Sequence, residues 1–88
     1  MRMSVTVNAD QRKYVFGVLR AIPKTEIDRE YFKTVDRYTF KIRTSYTIDK
    51  IKFFLQNAPT PVDAVVEAVD LTDKINNYLE ETKWILLK

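Results

Sequence analysis

Residues 37–47 read RYTFKIRTSYT, and the fold turns on how this stretch is read. Tyr38, Phe40 and Ile42 alternate with Thr39, Lys41 and Arg43. That is the period of a strand with one buried and one solvated face. The same stretch interleaves bases with aromatics, as a surface that grips nucleic acid does. A core needs the rings turned inward, and a stacking platform needs them outward. The flanking segments decide which.

Upstream, residues 28–35 contain Tyr31, Phe32, Thr34 and Val35, which favour a strand. Thr25 with Asp28 three residues on also resembles a helix start. The strand is preferred because residues 38–44 need a partner, with Asp36–Arg37 as the hairpin turn between them. Further upstream, Met3, Val5 and Val7 alternate with Ser4 and Thr6, a second half-buried strand. Asn8 or Asp10 then caps a helix whose stripe is Val15, Val18, Leu19 and Ile22, closed by Pro23. Gly17 inside it marks either a close backbone approach or drift.

Downstream, Thr47 caps a second helix with Ile48, Ile51, Phe54 and Leu55 on its stripe, and NAPTP at 57–61 ends it. The next segment carries two signals. Thr60-Pro61-Val62-Asp63 announces a helix, and Val62, Val65, Val66 and Val69 keep helical spacing, so a helix over about 61–82, kinked near Thr72, is expected. A run so rich in Val also suits a strand, in which case residues 64–71 become the fourth strand of the sheet. Trp84-Ile85-Leu86-Leu87 closes the chain as an apolar run that fits a buried strand.

The order β-α-β-β-α-(α)-β resembles a ferredoxin-like split βαβ arrangement. The expected class is therefore α+β, an antiparallel sheet with helices on one face, in a single compact domain over residues 1–88. The chain is 45% hydrophobic with one Gly and three Pro, enough apolar material to close a core without long loops.

Several function classes drop out. With no Cys and no His, a zinc finger, a Cys–His or Ser–His nucleophile and a haem ligand are excluded. A single Gly excludes a phosphate-cradling Gly-rich loop. No cofactor and no metal site is expected, and an enzyme is not. The N-terminal MRMSVTVNAD has no apolar signal region, and the longest uncharged apolar run, Tyr14–Leu19, is far short of a membrane span. A cytoplasmic protein without a membrane partner is expected.

Net charge is +3, unevenly spread: residues 1–50 balance at +5 and residues 51–88 at −2. In a sheet covered on one side, Met3, Val5, Val7, Phe32, Tyr38, Phe40 and Ile42 face inward. Arg2, Ser4, Thr6, Arg29, Tyr31, Lys33, Thr39, Lys41 and Arg43 then face out, with five cations, one aromatic and no acid. Arg2, Arg29, Tyr31, Lys33, Lys41 and Arg43 are the candidate face for single-stranded nucleic acid. The bland reading is an ordinary solvated sheet face. RYTFKI lacks the Gly that precedes the aromatics of the RNA-recognition motif, and VTVNA has Thr where that family stacks a ring.

On a helix, Asp63, Glu67 and Asp70 would form an outward carboxylate stripe with Lys74, a solvated face unless a second element supplies further cation ligands. Phe53 and Phe54 are adjacent, so one helix face cannot bury both. Phe16, Phe53, Trp84, Ile85 and Leu87 are therefore candidate partner contacts. The expected function is a small binding module that inhibits, adapts or regulates a larger protein. Single-stranded nucleic-acid binding is the alternative, and opposite charge bias with an apolar tail allows a homodimer.

Overall fold

The computed structural model of the protein describes residues 1–69. Strand β1 (Arg2–Asn8) leads through one 3-10 turn (Ala9–Gln11) into helix α1 (Arg12–Ala21). A hairpin of β2 (Thr25–Phe32) and β3 (Arg37–Thr44) follows, then helix α2 (Ile48–Gln56) and strand β4 (Val65–Ala68). The sheet order is β2-β3-β1-β4 with antiparallel neighbours throughout. The protein is α+β and compatible with the ferredoxin-like arrangement.

The alternation in β1 and β3 does what its period requires. Val5 sits opposite Phe40 and Met3 opposite Ile42, all essentially without solvent contact. Val15 and Leu19 from α1 and Ile51 and Leu55 from α2 close over them, with Val62 and Val66 completing the cluster. Such burial, at about 25 cal/mol per Å² of apolar surface, is the main force holding helices to sheet. Phe40 lies inside, and Tyr38 stacks edge-on against it at 5.2 Å. The ring alternation of residues 37–47 thus belongs to the core.

The caps differ in part from expectation. Thr47 accepts a hydrogen bond from the Lys50 amide, so its capping role stands. Neither Asn8 nor Asp10 caps α1. The chain first makes the short turn at Ala9–Gln11, and the Ala9 amide donates to the Asp36 carbonyl at 2.8 Å. A backbone group from the hairpin loop thus satisfies one free donor of that turn, and the turn also takes the Arg12 amide on the Ala9 carbonyl. The hairpin loop is also longer than a turn at Asp36–Arg37: Lys33–Asp36 forms it, and Arg37 already belongs to β3. The Lys33 and Thr34 amides both donate to the Arg37 carbonyl. The wider loop dispenses with the Gly or Asn that a tight hairpin requires.

The expected helix over 61–82 is overturned where the structure describes it. Residues 61–64 are irregular and Val65–Ala68 form β4 beside β1. Val66 pairs with Val5 and is buried, whereas Val65 is exposed, an alternation and not a helical stripe. The free edge of β1 supplies amides and carbonyls for a β-branched segment, and that gain exceeds what one cap-and-Pro signature offers. The Thr60 amide donates to the Tyr14 hydroxyl at 2.8 Å, so the nominal cap residue is fixed to α1 instead. The kink near Thr72 and the terminal strand expected at 84–87 lie outside the described residues.

Candidate binding surface

Antiparallel partners point to the same side of a sheet, so the pairings list the face that α1 and α2 leave uncovered. β1 contributes Arg2, Ser4 and Thr6, and β3 contributes Arg37, Thr39, Lys41 and Arg43. Their β2 partners are Glu26, Arg29 and Tyr31, and β4 adds Val65 and Glu67.

This face contains acids that the expectation excluded. An unbroken strand with Arg29 and Tyr31 outward would turn Ile27 outward and Glu26 and Asp28 inward. The pairing of β2 with β3 instead slips between Ile27 and Arg29, so Asp28 is an extra residue with no partner of its own. Such a bulge resets the parity. Ile27 stays inward opposite Ile42, and Glu26 comes out opposite Arg43. Arg43 then donates to Asp28 Oδ1 at 2.8 Å and Glu26 Oε2 at 3.0 Å. One of the five expected cations is neutralised twice over. Glu26, Asp28 and Glu67 share the Arg2, Arg29 and Lys41 end of the face, so that end is mixed, and the row of Tyr31, Thr39, Thr6 and Val65 is neutral.

Arg29 lies over the Tyr31 ring at 5.2 Å, and both side chains are exposed. Thr39 forms the middle of the face, hydrogen-bonded to Thr6 at 2.8 Å. Lys33 falls in the hairpin loop, beyond the sheet, at the start of a separate surface. Residues 28–37 are exposed without exception and form the β2–β3 arm, the loop end of the hairpin on the β2 edge of the sheet. At its end Val35 is 86% exposed and Phe32 55%. Phe32, expected inward, does point to the helix side, in one row with Tyr38 and the buried Val7, but stays half exposed because β2 is the edge strand. It stacks edge-on against Tyr38 at 4.9 Å, with Arg12 over its other side at 5.3 Å.

The Tyr38 hydroxyl donates to Glu30 Oε1 at 2.9 Å. Desolvation first, and the bond to the Glu30 carboxylate second, hold its pKa above the ordinary 10.0.

Among the other candidates, Phe16 is half-buried at the margin of the core beneath Arg20. Phe53 is half-exposed under Lys50, whereas Phe54 packs on the core and on Tyr46, as adjacency demands. Trp84, Ile85 and Leu87 lie outside the described residues. Asp63 precedes β4 and Glu67 sits on it, so the helical carboxylate stripe is absent over these residues. Among the described residues no helix is long and apolar enough to cross a membrane.

Three features of this surface escaped sequence reasoning: Glu26 and Asp28 on the open face, and Val35 at the arm tip. The acids carry a faint signal, since they stand two apart like residues on one face. The bulge that places them opposite Arg43 has no local signature. No protein-family model, no curated protein and no solved structure matches the chain.

Proposed function

We propose that this chain is a small non-enzymatic binding module that acts on a larger protein, as inhibitor, adaptor or regulator, through the β2–β3 arm. One observation carries the reading: Phe32 and Val35 stand exposed at the loop end of the β2–β3 arm. Small domains rarely leave large apolar side chains together in water, and such groups commonly anchor partner contacts. Arg29, Lys33 and Arg37 flank them, and neither Lys33 nor Arg37 has an ion-pair partner among the described residues. The matching partner surface is an apolar pocket with an acidic rim. A cytoplasmic setting belongs to this reading, in keeping with a cysteine-free composition.

The second reading is single-stranded nucleic acid on the open face, favoured by the exposed Arg29–Tyr31 stack. Glu26, Asp28 and Glu67 oppose it by repelling phosphates.

Affinity capture with the full chain, with and without nuclease, separates the two. A partner that survives nuclease and is lost on Val35→Asp supports the arm. A partner released by nuclease, or retained by Val35→Asp, overturns it. Val35 makes few contacts to lose, so that variant is expected to keep its melting temperature.

A further inference from the structure

We propose that Arg12 is the positioning residue of the β2–β3 arm: its guanidinium ties Phe32 to the start of α1, so that the loop bearing Val35 is held in one fixed conformation. The consequence for partner binding rests on the reading above, whereas the tie itself does not.

Ala9 anchors the arm twice. Its amide donates to the Asp36 carbonyl at 2.8 Å. Its carbonyl accepts from Arg12 Nη1 at 2.7 Å, and that guanidinium lies 5.3 Å from the centre of the Phe32 ring. Phe32 ends β2 and Asp36 ends the hairpin loop. The two ties therefore grip both feet of Lys33–Asp36, and Val35 stands out between them. The bonds that Thr34 makes within the loop measure 3.3–3.4 Å, the weak end of the range, so the loop depends on its ties for order.

The partners of Arg12 are informative in themselves. Asp10 and Asp36 line the same hollow of about 450 Å³ as Arg12. Among the described residues no ion pair joins Arg12 to either acid, and the guanidinium lies on a carbonyl and a ring instead. A planar guanidinium does both at once, stacking by its face and donating from its edge. Its place in the helix agrees. Arg12 and Lys13 open α1, with no acid in the first turn. The helix dipole makes that end unfavourable for a cation. Arg12 thus does not serve α1, and its contact with the arm accounts for its position. A loop held this way loses less conformational entropy on docking than a loose one.

Amide nitrogen relaxation on the full chain tests the tie without any partner. The Lys33–Asp36 amides are expected to be as ordered as β3, with order parameters of about 0.85. Arg12→Gln should lower them below about 0.6 and leave β1 and β3 unchanged. Arg20→Gln removes a guanidinium that lies over Phe16 at 5.6 Å in the same helix, and should leave the loop as it was. Phe32→Leu should loosen the loop as far as Arg12→Gln does, and the double variant no further, since both break one contact. A loop already loose in the parent, order unchanged by Arg12→Gln, additive losses in the double variant, or loosening spread over the whole sheet would overturn the proposal. Affinity capture then separates the two claims. A partner retained by Val35→Asp rejects the arm as binding site, whatever relaxation shows. A partner lost on Val35→Asp but held equally well by Arg12→Gln rejects the positioning role.

Discussion

Gly17 sits in the middle of α1, exposed, with ordinary negative φ. A Cβ built there meets nothing within 4 Å, so no close approach requires the glycine. Gly17→Ala is expected to stabilise the fold by about 0.5–1 kcal/mol, because Gly adds backbone freedom to the unfolded chain. For a domain of this size that raises the melting temperature by roughly 4–8 °C per kcal/mol. Phe40 stands at the other extreme: Phe40→Ala removes the largest wholly buried side chain among the described residues. A loss of about 3–5 kcal/mol is expected by chemical denaturation, most of the stability of so small a domain. Tyr38 gives the pH dependence. Its folded pKa is raised, so its contribution is complete below the unfolded value of 10.0 and declines as pH rises through the folded value. Above 10.0 the unfolded chain releases its proton first, and stability falls. Tyr38→Phe should flatten that alkaline decline, read from denaturation midpoints on either side of pH 10.0.

At the scale of elements, β4 is the instructive case. A helical stripe would bury Val62, Val65, Val66 and Val69 together, so a charge at Val65 would be as harmful as one at Val66. In β4 only Val66 faces the core, opposite Val5. Val66→Lys should therefore lose about 3–5 kcal/mol by burying an unpaired charge. Val65→Lys should stay within roughly 0.5 kcal/mol of the parent, since it adds one more solvated group. Comparable losses from both would restore the helix. The β2–β3 pair makes the complementary point about registry. Arg43 with Glu26 and Asp28 is an exposed ion cluster, worth only about 0–1 kcal/mol. Its consequence is for the field over the face, and the bulge that creates it also disturbs a free edge strand.

At the scale of the molecule, self-association has fewer supports than charge bias suggested. Among the described residues β2 has only β3 beside it, yet its bulge and its row of charges discourage a second chain from pairing there. A monomer of 10.4 kDa is therefore expected by sedimentation at micromolar concentration. A dimer that separates into folded monomers on Ile85→Lys with Leu87→Lys would instead return the terminal apolar run to an interface. The arm bearing Phe32 and Val35 remains available in either state.

Local sequence patterns were enough for the α+β class, the two half-buried strands, the helix stripes and the Thr47 cap. Each of these is a local matter: the side-chain period of two or 3.6 and the chemistry of a chain end can be read without knowing the neighbours. Tertiary structure decided the rest. The Val-rich segment at 62–69 had nearly balanced local preferences, and the unfilled hydrogen bonds along β1 tipped it to strand. The acids on the open face depended on a bulge, and a bulge exists only in the pairing of two strands. The fold was legible because it rests on periodic burial; the charge of the face was not, because one extra residue in β2 reverses which side each neighbour occupies.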